Sequence, residues 1–238
     1  MLLLSFSLGS IILFMLYSNN MAFIILILSF AVAITVHEAS HAWMANKLGD
    51  PTAKLMGRLS LNPLVHYDPV GTTLLFVTMF LWKLGMVPFP FGWAKPVIFD
   101  PFNLKEPRKD SAIISLAGPA ANLILAFLTS FLIRIAAASP FSPIYLLGEL
   151  LKPFIVLNVS LAIFNLIPVH PLDGGKIIIG LLPEKEAREA ELFLNRFGVL
   201  ILFFLIFPTF GGYSPLSIII SPIINFLLNL LLPGNKII

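Results

Sequence analysis

A chain of 238 residues with 58% hydrophobic and only 11% charged residues has too little polar material to cover a water-facing surface, since soluble domains carry about 25% charged residues. Its net charge of +3 comes from scattered basic residues; with no base-stacking motif beside them they read as loop charge near lipid headgroups, not a nucleic-acid surface. Cysteine is absent, which excludes disulfides and thiolate metal sites and leaves His, Asp, Glu or backbone oxygen to hold any metal.

A membrane-spanning helix needs about 20 mainly apolar residues. The first candidate is Leu2 to Tyr17. It has no basic n-region and no clear small-residue cleavage site, so it reads as a retained membrane helix, not a removed signal peptide. The second starts at Met21 and continues to about Leu48, where Gly49-Asp50-Pro51 stops it. Further candidates are Val70 to Val87, Ser111 to Ala138, Pro153 to Ile167, Leu192 to Phe207 and Pro215 to Leu232.

Two intervals, Thr52 to Pro69 and Phe89 to Pro107, hold prolines, short apolar runs and most of the loop charge. Lys54 to Leu61 and Lys95 to Phe99 partly alternate, which predicts short strands. Basic residues flank Val70–Val87 on both sides: Lys47, Lys54 and Arg58 before it, Lys95, Lys105, Arg108 and Lys109 after it. The positive-inside rule then favours a re-entrant or tilted segment there, with both loops in the cytoplasm. The expected fold is an all-α polytopic membrane protein. It has about six transmembrane helices and a small membrane-associated β-strand insertion, in one domain over 1–238 with a core at 21–182 and C-terminal helices at 184–238.

The strongest chemical signal is His37-Glu38-Ala39-Ser40-His41, an H-E-x-x-H. On a helix, residues i and i+4 share a face, so both imidazoles can reach one Zn²⁺ while Glu38 stands beside it, placed to take a proton from an attacking water. His37 follows sixteen residues of nearly pure hydrocarbon, Met21 to Val36. The motif therefore lies within the bilayer or at one face, where ionisable residues are expensive and usually functional. A solvated polar helix end would not need ligand spacing.

Two histidines leave a catalytic zinc one protein ligand short. Asp50, His66, Asp68, Asp100, Asp110, Glu149, His170 and Asp173 could supply the third. Asp173 stands out in Asn165-Leu166-Ile167-Pro168-Val169-His170-Pro171-Leu172-Asp173-Gly174-Gly175. There prolines break the helix and glycines let backbone pass close to another element. A helix N-cap role for the same aspartate is an equal alternative on local sequence alone. Asn158 and Asn165 are seven apart and share a helix face; buried amides of this kind seek interhelical partners.

H-E-x-x-H on an apolar helix, followed far downstream by N-x-x-P-x-x-P-L-D-G-G, resembles the site-2 protease family of intramembrane zinc metalloproteases, peptidase family M50. Gly118-Pro119-Ala120-Ala121-Asn122 resembles that family's G-P-x-x-N element. Gly92-Trp93-Ala94-Lys95-Pro96-Val97 and Leu61-Asn62-Pro63 resemble its bacterial and archaeal members. The resemblance covers about residues 21–182. It implies one Zn²⁺ per chain on His37, His41 and Asp173, with Glu38 as general base. It also implies Asn122 and Asn165 near the active site, where they could bind substrate backbone or polarise the scissile carbonyl. The expected activity is hydrolysis of peptide bonds in or near transmembrane segments. Expected partners are a transmembrane substrate protein, the lipid bilayer and a regulatory membrane protein, but no nucleic acid. The expected place is a bacterial or archaeal cell membrane, active site toward the cytoplasm. The PDZ and CBS domains of many family members have no counterpart here, and His170 departs from the family's usual small or apolar residue. A divalent-cation transporter or a zinc-holding scaffold are the alternative readings of the same residues.

Overall fold

The computed structural model describes residues 20–83, 92–137, 143–207 and 214–232. The expected span Leu2–Tyr17 and the end of Val70–Val87 lie outside them. The described chain is all-α: α1 (Asn20–Leu48), a single turn α2 (Thr52–Leu55), α3 (Pro69–Lys83), α4 (Pro107–Ala137), α5 (Pro143–Asn165), α6 (Asp173–Leu181), α7 (Glu184–Ile206) and α8 (Pro215–Leu231). Two of these, α1 from Ile24 and α4 to Ile135, are long and apolar enough to cross a membrane.

Helix ends follow local chemistry. Proline opens α3, α4 and α8, where its fixed φ suits the first turn and its missing N–H costs nothing. Asp68 caps α3 through the Gly71 N–H at 2.7 Å, and Ser214 caps α8 through the Ser217 N–H at 3.0 Å. α1 ends at Gly49, whose φ of 110° lies where a side chain is strained.

α4 is the central element and packs against α1, α5, α6 and α8. Most of its buried positions are small or polar, among them Ala112, Ser115, Asn122, Ala126, Thr129 and Ser130, with Ile114 and Ile133 the large exceptions, whereas Leu116, Ile124, Phe127, Leu128 and Phe131 are exposed. α1 repeats the pattern. Ser29, Ala33, His37, His41 and Ala45 form a buried row at four-residue spacing, and Ile24, Leu28, Val32 and Trp43 face outward. Small residues let membrane helices approach closely, and large apolar ones meet lipid. One apolar cluster joins Ile133 of α4, Ile155 and Val159 of α5, and Leu216, Ile220, Ile224 and Leu228 of α8. Beside this cluster Arg134 donates to the Leu230 carbonyl at 2.6 Å and the Ser130 hydroxyl to the Leu231 carbonyl, serving carbonyls that the α8 C-terminus leaves without helix partners.

The strand expectation is corrected: no described residue lies in a strand. Within Lys54–Leu61, the first residues complete the α2 turn. Arg58, buried, then folds back onto the Val65 carbonyl. Asn62 caps a 3-10 turn over Pro63–His66 through the Leu64 N–H. Local side-chain bonding has displaced ladder pairing. Lys95–Phe99 has no regular structure; its Lys95 N–H reaches the His66 carbonyl at 2.9 Å, a single bridge too isolated to make a sheet.

The two loops flanking α3 are tied together. Asp50, fully buried, accepts from the Thr52 N–H and hydroxyl, the Asn103 amide at 2.8 Å and the Asp100 N–H at 2.8 Å. The chain thus returns after α3 to the end it left. Burial pushes the Asp50 carboxyl up, but the hydrogen bonds from Thr52, Asn103 and Asp100 outweigh this and hold it below its ordinary value. A lowered native pKa contributes stability that is complete above the unfolded value of about 4 and is lost as pH falls below it. Thermal unfolding in detergent should therefore show wild type more stable than Asp50→Asn near neutrality. The gap should close progressively as pH drops below about 4.

Candidate active site

The histidines of α1 point at α4 and α6. His37 Nε2 lies 3.1 Å from Asp173 Oδ2, and His41 Nε2 lies 3.3 Å from the same oxygen. Both histidines are buried. Asp173 is the first residue of α6, and the N-cap position falls to Leu172, which makes no side-chain cap. The carboxylate therefore faces the imidazoles instead of capping a helix. It arrives there because α6 starts hard against the end of α5: a Cβ on Gly174 would stand 2.2 Å from the Ile167 carbonyl oxygen. Gly118 forms the wall on the α4 side, since a Cβ there would lie 2.4 Å from His41 Nε2 and 2.8 Å from His37 Cε1.

Hydrogen bonds fix both ring tautomers. His41 Nδ1 is 2.7 Å from the Ile114 carbonyl, which can only accept. His37 Nδ1 is 2.7 Å from Asn122 Oδ1. The amide cannot be reversed, because Asn122 Nδ2 donates to the Ala33 carbonyl at 2.9 Å and to Asn158 Oδ1 at 2.8 Å. Each Nδ1 thus carries a ring proton, so that in the neutral ring each Nε2 offers a lone pair. Two lone pairs and a carboxylate oxygen converging out of water repel one another unless a cation sits between them. Among the described residues no other group of three His, Asp or Glu side chains converges in this way.

The remaining candidates have other work. Asp50 holds the loop clasp, Asp68 caps α3, and Asp100 caps the 3-10 turn Pro101–Asn103. Asp110 accepts from the Glu106 N–H. His66 is buried and donates through Nε2 to the Ser60 carbonyl at 2.9 Å, closing a turn. His170 backs onto Gly198 of α7, and the side chain of Glu149 lies outside those described. Asn165 donates to the Leu161 carbonyl of its own helix at 3.0 Å. Asn122 spends both amide hydrogens within the helix bundle and presents its oxygen to His37. Asn158 takes the interhelical bond. Glu38 is half-buried, and its Oε2 accepts the Val97 N–H at 3.0 Å.

Residues 25–142 and 132–205 match the sequence model of peptidase family M50. The chain belongs to peptidase family M50. It is 37% identical to YwhC of Bacillus subtilis strain 168 over 192 residues, 79% of this chain and 82% of that protein. It is 33% identical to Rip2 of Mycolicibacterium smegmatis over 181 residues, 76% of this chain and 65% of that one. It is 25% identical to the zinc metalloprotease MJ0392 of Methanocaldococcus jannaschii over 169 residues, 71% of this chain and 37% of that one. No solved structure matches. As an M50 member the protein is a zinc metalloprotease, and its apolar helices make it a membrane protein.

The geometry fits the M50 metal. Ligands about 2.0–2.1 Å from zinc at a tetrahedral angle stand about 3.3–3.4 Å apart, close to the 3.1 and 3.3 Å separations of the Asp173 oxygen from the two imidazoles. Three features of this M50 site escape sequence reasoning. The Ile114 carbonyl and the Val97 N–H are main-chain groups and leave no side-chain signature. Gly118 is visible in sequence as the first residue of the G-P-x-x-N element, but nothing there says that the imidazoles fill the place of its side chain. Pro119 deletes a helix hydrogen bond beside Ile114 and loosens the turn whose carbonyl His41 uses.

Partners that orient a metal-binding imidazole are worth about 10–100-fold in metal affinity. Asn122→Ala should lower zinc affinity by about that factor, and Asn122→Asp, which keeps an acceptor for His37, should lower it less. Chelator competition on the purified protein reads the difference.

Proposed function

We propose that this M50 protein is an intramembrane protease that hydrolyses peptide bonds in or near transmembrane segments of substrate proteins, with His37, His41 and Asp173 holding one Zn²⁺ and Glu38 as general base. The observation that carries the reading is the meeting of two imidazole Nε2 atoms and a carboxylate oxygen beside a half-buried glutamate, among apolar helices. About 20 Å of apolar helix separates Ile24 from His37, at 1.5 Å per residue, against a hydrocarbon core of about 30 Å.

Zinc bound there supplies Lewis-acid activation of water and of the scissile carbonyl. The protein supplies the rest. Glu38 takes a proton from the attacking water and returns it to the leaving amine. The Asn122 and Ile114 oxygens hold the histidines in the tautomer that keeps Nε2 available. Asn165, half-buried near the end of α5, is the amide we place closest to the substrate backbone, because Asn122 has no donor left. The substrate must enter locally unwound, since a helix hides its carbonyls in hydrogen bonds.

On this reading the chain is one domain that crosses the cell membrane about six times. Lys47, Lys54, Lys95, Lys105 and Lys109 are exposed and flank the joined loops at one end of the bundle. The positive-inside rule puts that end, and the active site near it, toward the cytoplasm. A membrane protein that delivers or withholds the substrate fits a chain that reads as one catalytic unit.

The test pairs zinc content with cleavage of a model transmembrane substrate in detergent. Wild type should hold about one zinc and cut. Glu38→Gln should hold zinc without cutting, and Asp173→Ala should lose both. Activity removed by a chelator should return with added Zn²⁺. Cleavage by Glu38→Gln would end the general-base assignment, and zinc retained at full affinity by Asp173→Ala would end the ligand assignment.

A further inference from the structure

The stretch Gly92–Asp100 has no regular structure, yet it is pinned along its length. At its start a Cβ on Gly92 would lie 2.4 Å from the Gly71 carbonyl oxygen, and one on Gly71 would lie 2.2 Å from the Trp93 carbonyl oxygen, so strap and α3 touch backbone to backbone. Lys95 donates to the His66 carbonyl at 2.9 Å. The Phe99 ring lies under the Lys176 ammonium of α6, 4.8 Å from its centroid, a weak but directional contact. Phe99 also packs on the cluster of Ala45, Leu104 and Ile114. Asp100 ends the strap on the buried Asp50 carboxylate. Between these anchors the Val97 N–H meets Glu38 Oε2 at 3.0 Å.

That contact is the one hydrogen bond the described structure gives the Glu38 side chain. A glutamate has three side-chain torsions and loses rotamer freedom when it is held. On α1 nothing else restrains it, because Glu38 stands between the two ligand positions on a face that the helix neighbours leave half-open. The strap reaches α1 from α3 and α6, elements that also position the α1 loops and Asp173. It therefore fixes the carboxylate relative to the ligands, with one oxygen engaged and the other free.

We infer that the strap Gly92–Asp100 is a positioning element for the reaction: the main-chain N–H of Val97 holds one oxygen of the Glu38 carboxylate so that the other is aimed at the water to be deprotonated. A flexible lid would fit the same contact, but anchors on α3, the His66 turn, α6 and Asp50 favour a fixed support. The inference rests on the general-base reading of Glu38. Val97 acts here through its backbone, so the side chain is free to vary.

The experiment compares kcat and KM for cleavage of the model transmembrane substrate, with zinc content and melting temperature measured on each variant. Val97→Pro deletes the N–H. It should lower kcat by about 10²-fold, the usual cost of a misplaced catalytic group, while KM stays within about twofold and zinc is retained. Val97→Ala, which keeps the N–H, should cut like wild type. Gly92→Ala shifts the strap at its α3 anchor without touching Val97, and it should show the same split in weaker form; it decides the matter if Val97→Pro does not fold. Wild-type kcat in a folded, zinc-loaded Val97→Pro overturns the inference, as does a raised kcat, which would make the strap a restraint. Glu38→Gln run alongside separates the two failures. If it is inactive while Val97→Pro is fully active, only the positioning role falls; if Glu38→Gln cuts, the base reading falls with it.

Discussion

The orientation of His37 depends on one chain of buried amides. Asn158 on α5 accepts from Asn122 on α4, Asn122 donates again to the Ala33 carbonyl of α1, and its oxygen takes the His37 Nδ1 proton. Three helices are thereby joined at one level by bonds that also dictate where the His37 lone pair points. The same atoms do structural and chemical work. In an apolar interior an unsatisfied amide is costly, so the network is complete or the bundle is wrong. Asn158 closes the far end by donating to the Phe154 carbonyl of its own helix at 2.8 Å.

Such a polar level is tolerable because the helices around it are built to approach. Ala33, Ala42 and Ala45 on α1 and Gly118 on α4 are fully or largely buried, and many of the large apolar side chains of both helices, such as Leu28, Val32, Ile124 and Phe127, face outward. Between lipid-exposed helices the hydrophobic effect gives no net drive, so close packing and interhelical hydrogen bonds have to hold them. Gly118 shows the coupling most directly. The space where its side chain would be is taken by the two imidazoles, so helix approach and ligand geometry are one constraint.

Much of this was legible in the sequence, and the reasons for what was not are physical. The helix of the H-E-x-x-H motif starts at Asn20 against an expected Met21, and the last helix ends at Leu231 against Leu232, because apolar length and Pro or Gly punctuation are local signals. α5 begins ten residues before the expected Pro153, since Pro153 is carried inside the helix; in membrane helices neighbouring groups re-satisfy the freed carbonyl. The strands over Lys54–Leu61 and Lys95–Phe99 did not form. Alternation over five to eight residues says only that a segment is half-buried, and here Arg58, Asn62 and His66 bond within their own loop. Asp173 was one of two equal readings until tertiary structure brought α6 onto α1, and the Asn122 role required knowing which way its amide faces.

The arrangement separates two tasks that zinc proteolysis combines. The proposed metal ligands, His37, His41 and Asp173, stand on α1 and α6, backed by α4 and α5, and the two histidines are oriented by groups inside the bundle. The single described restraint on Glu38 comes instead from a loop outside the helices. Binding the metal and aiming the base therefore rest on different parts of the chain. A change that loosens the loops, through Asp50, Gly71 or the His66 turn, reaches the base first and leaves the ligands in place. A change in the amide chain reaches the ligands first.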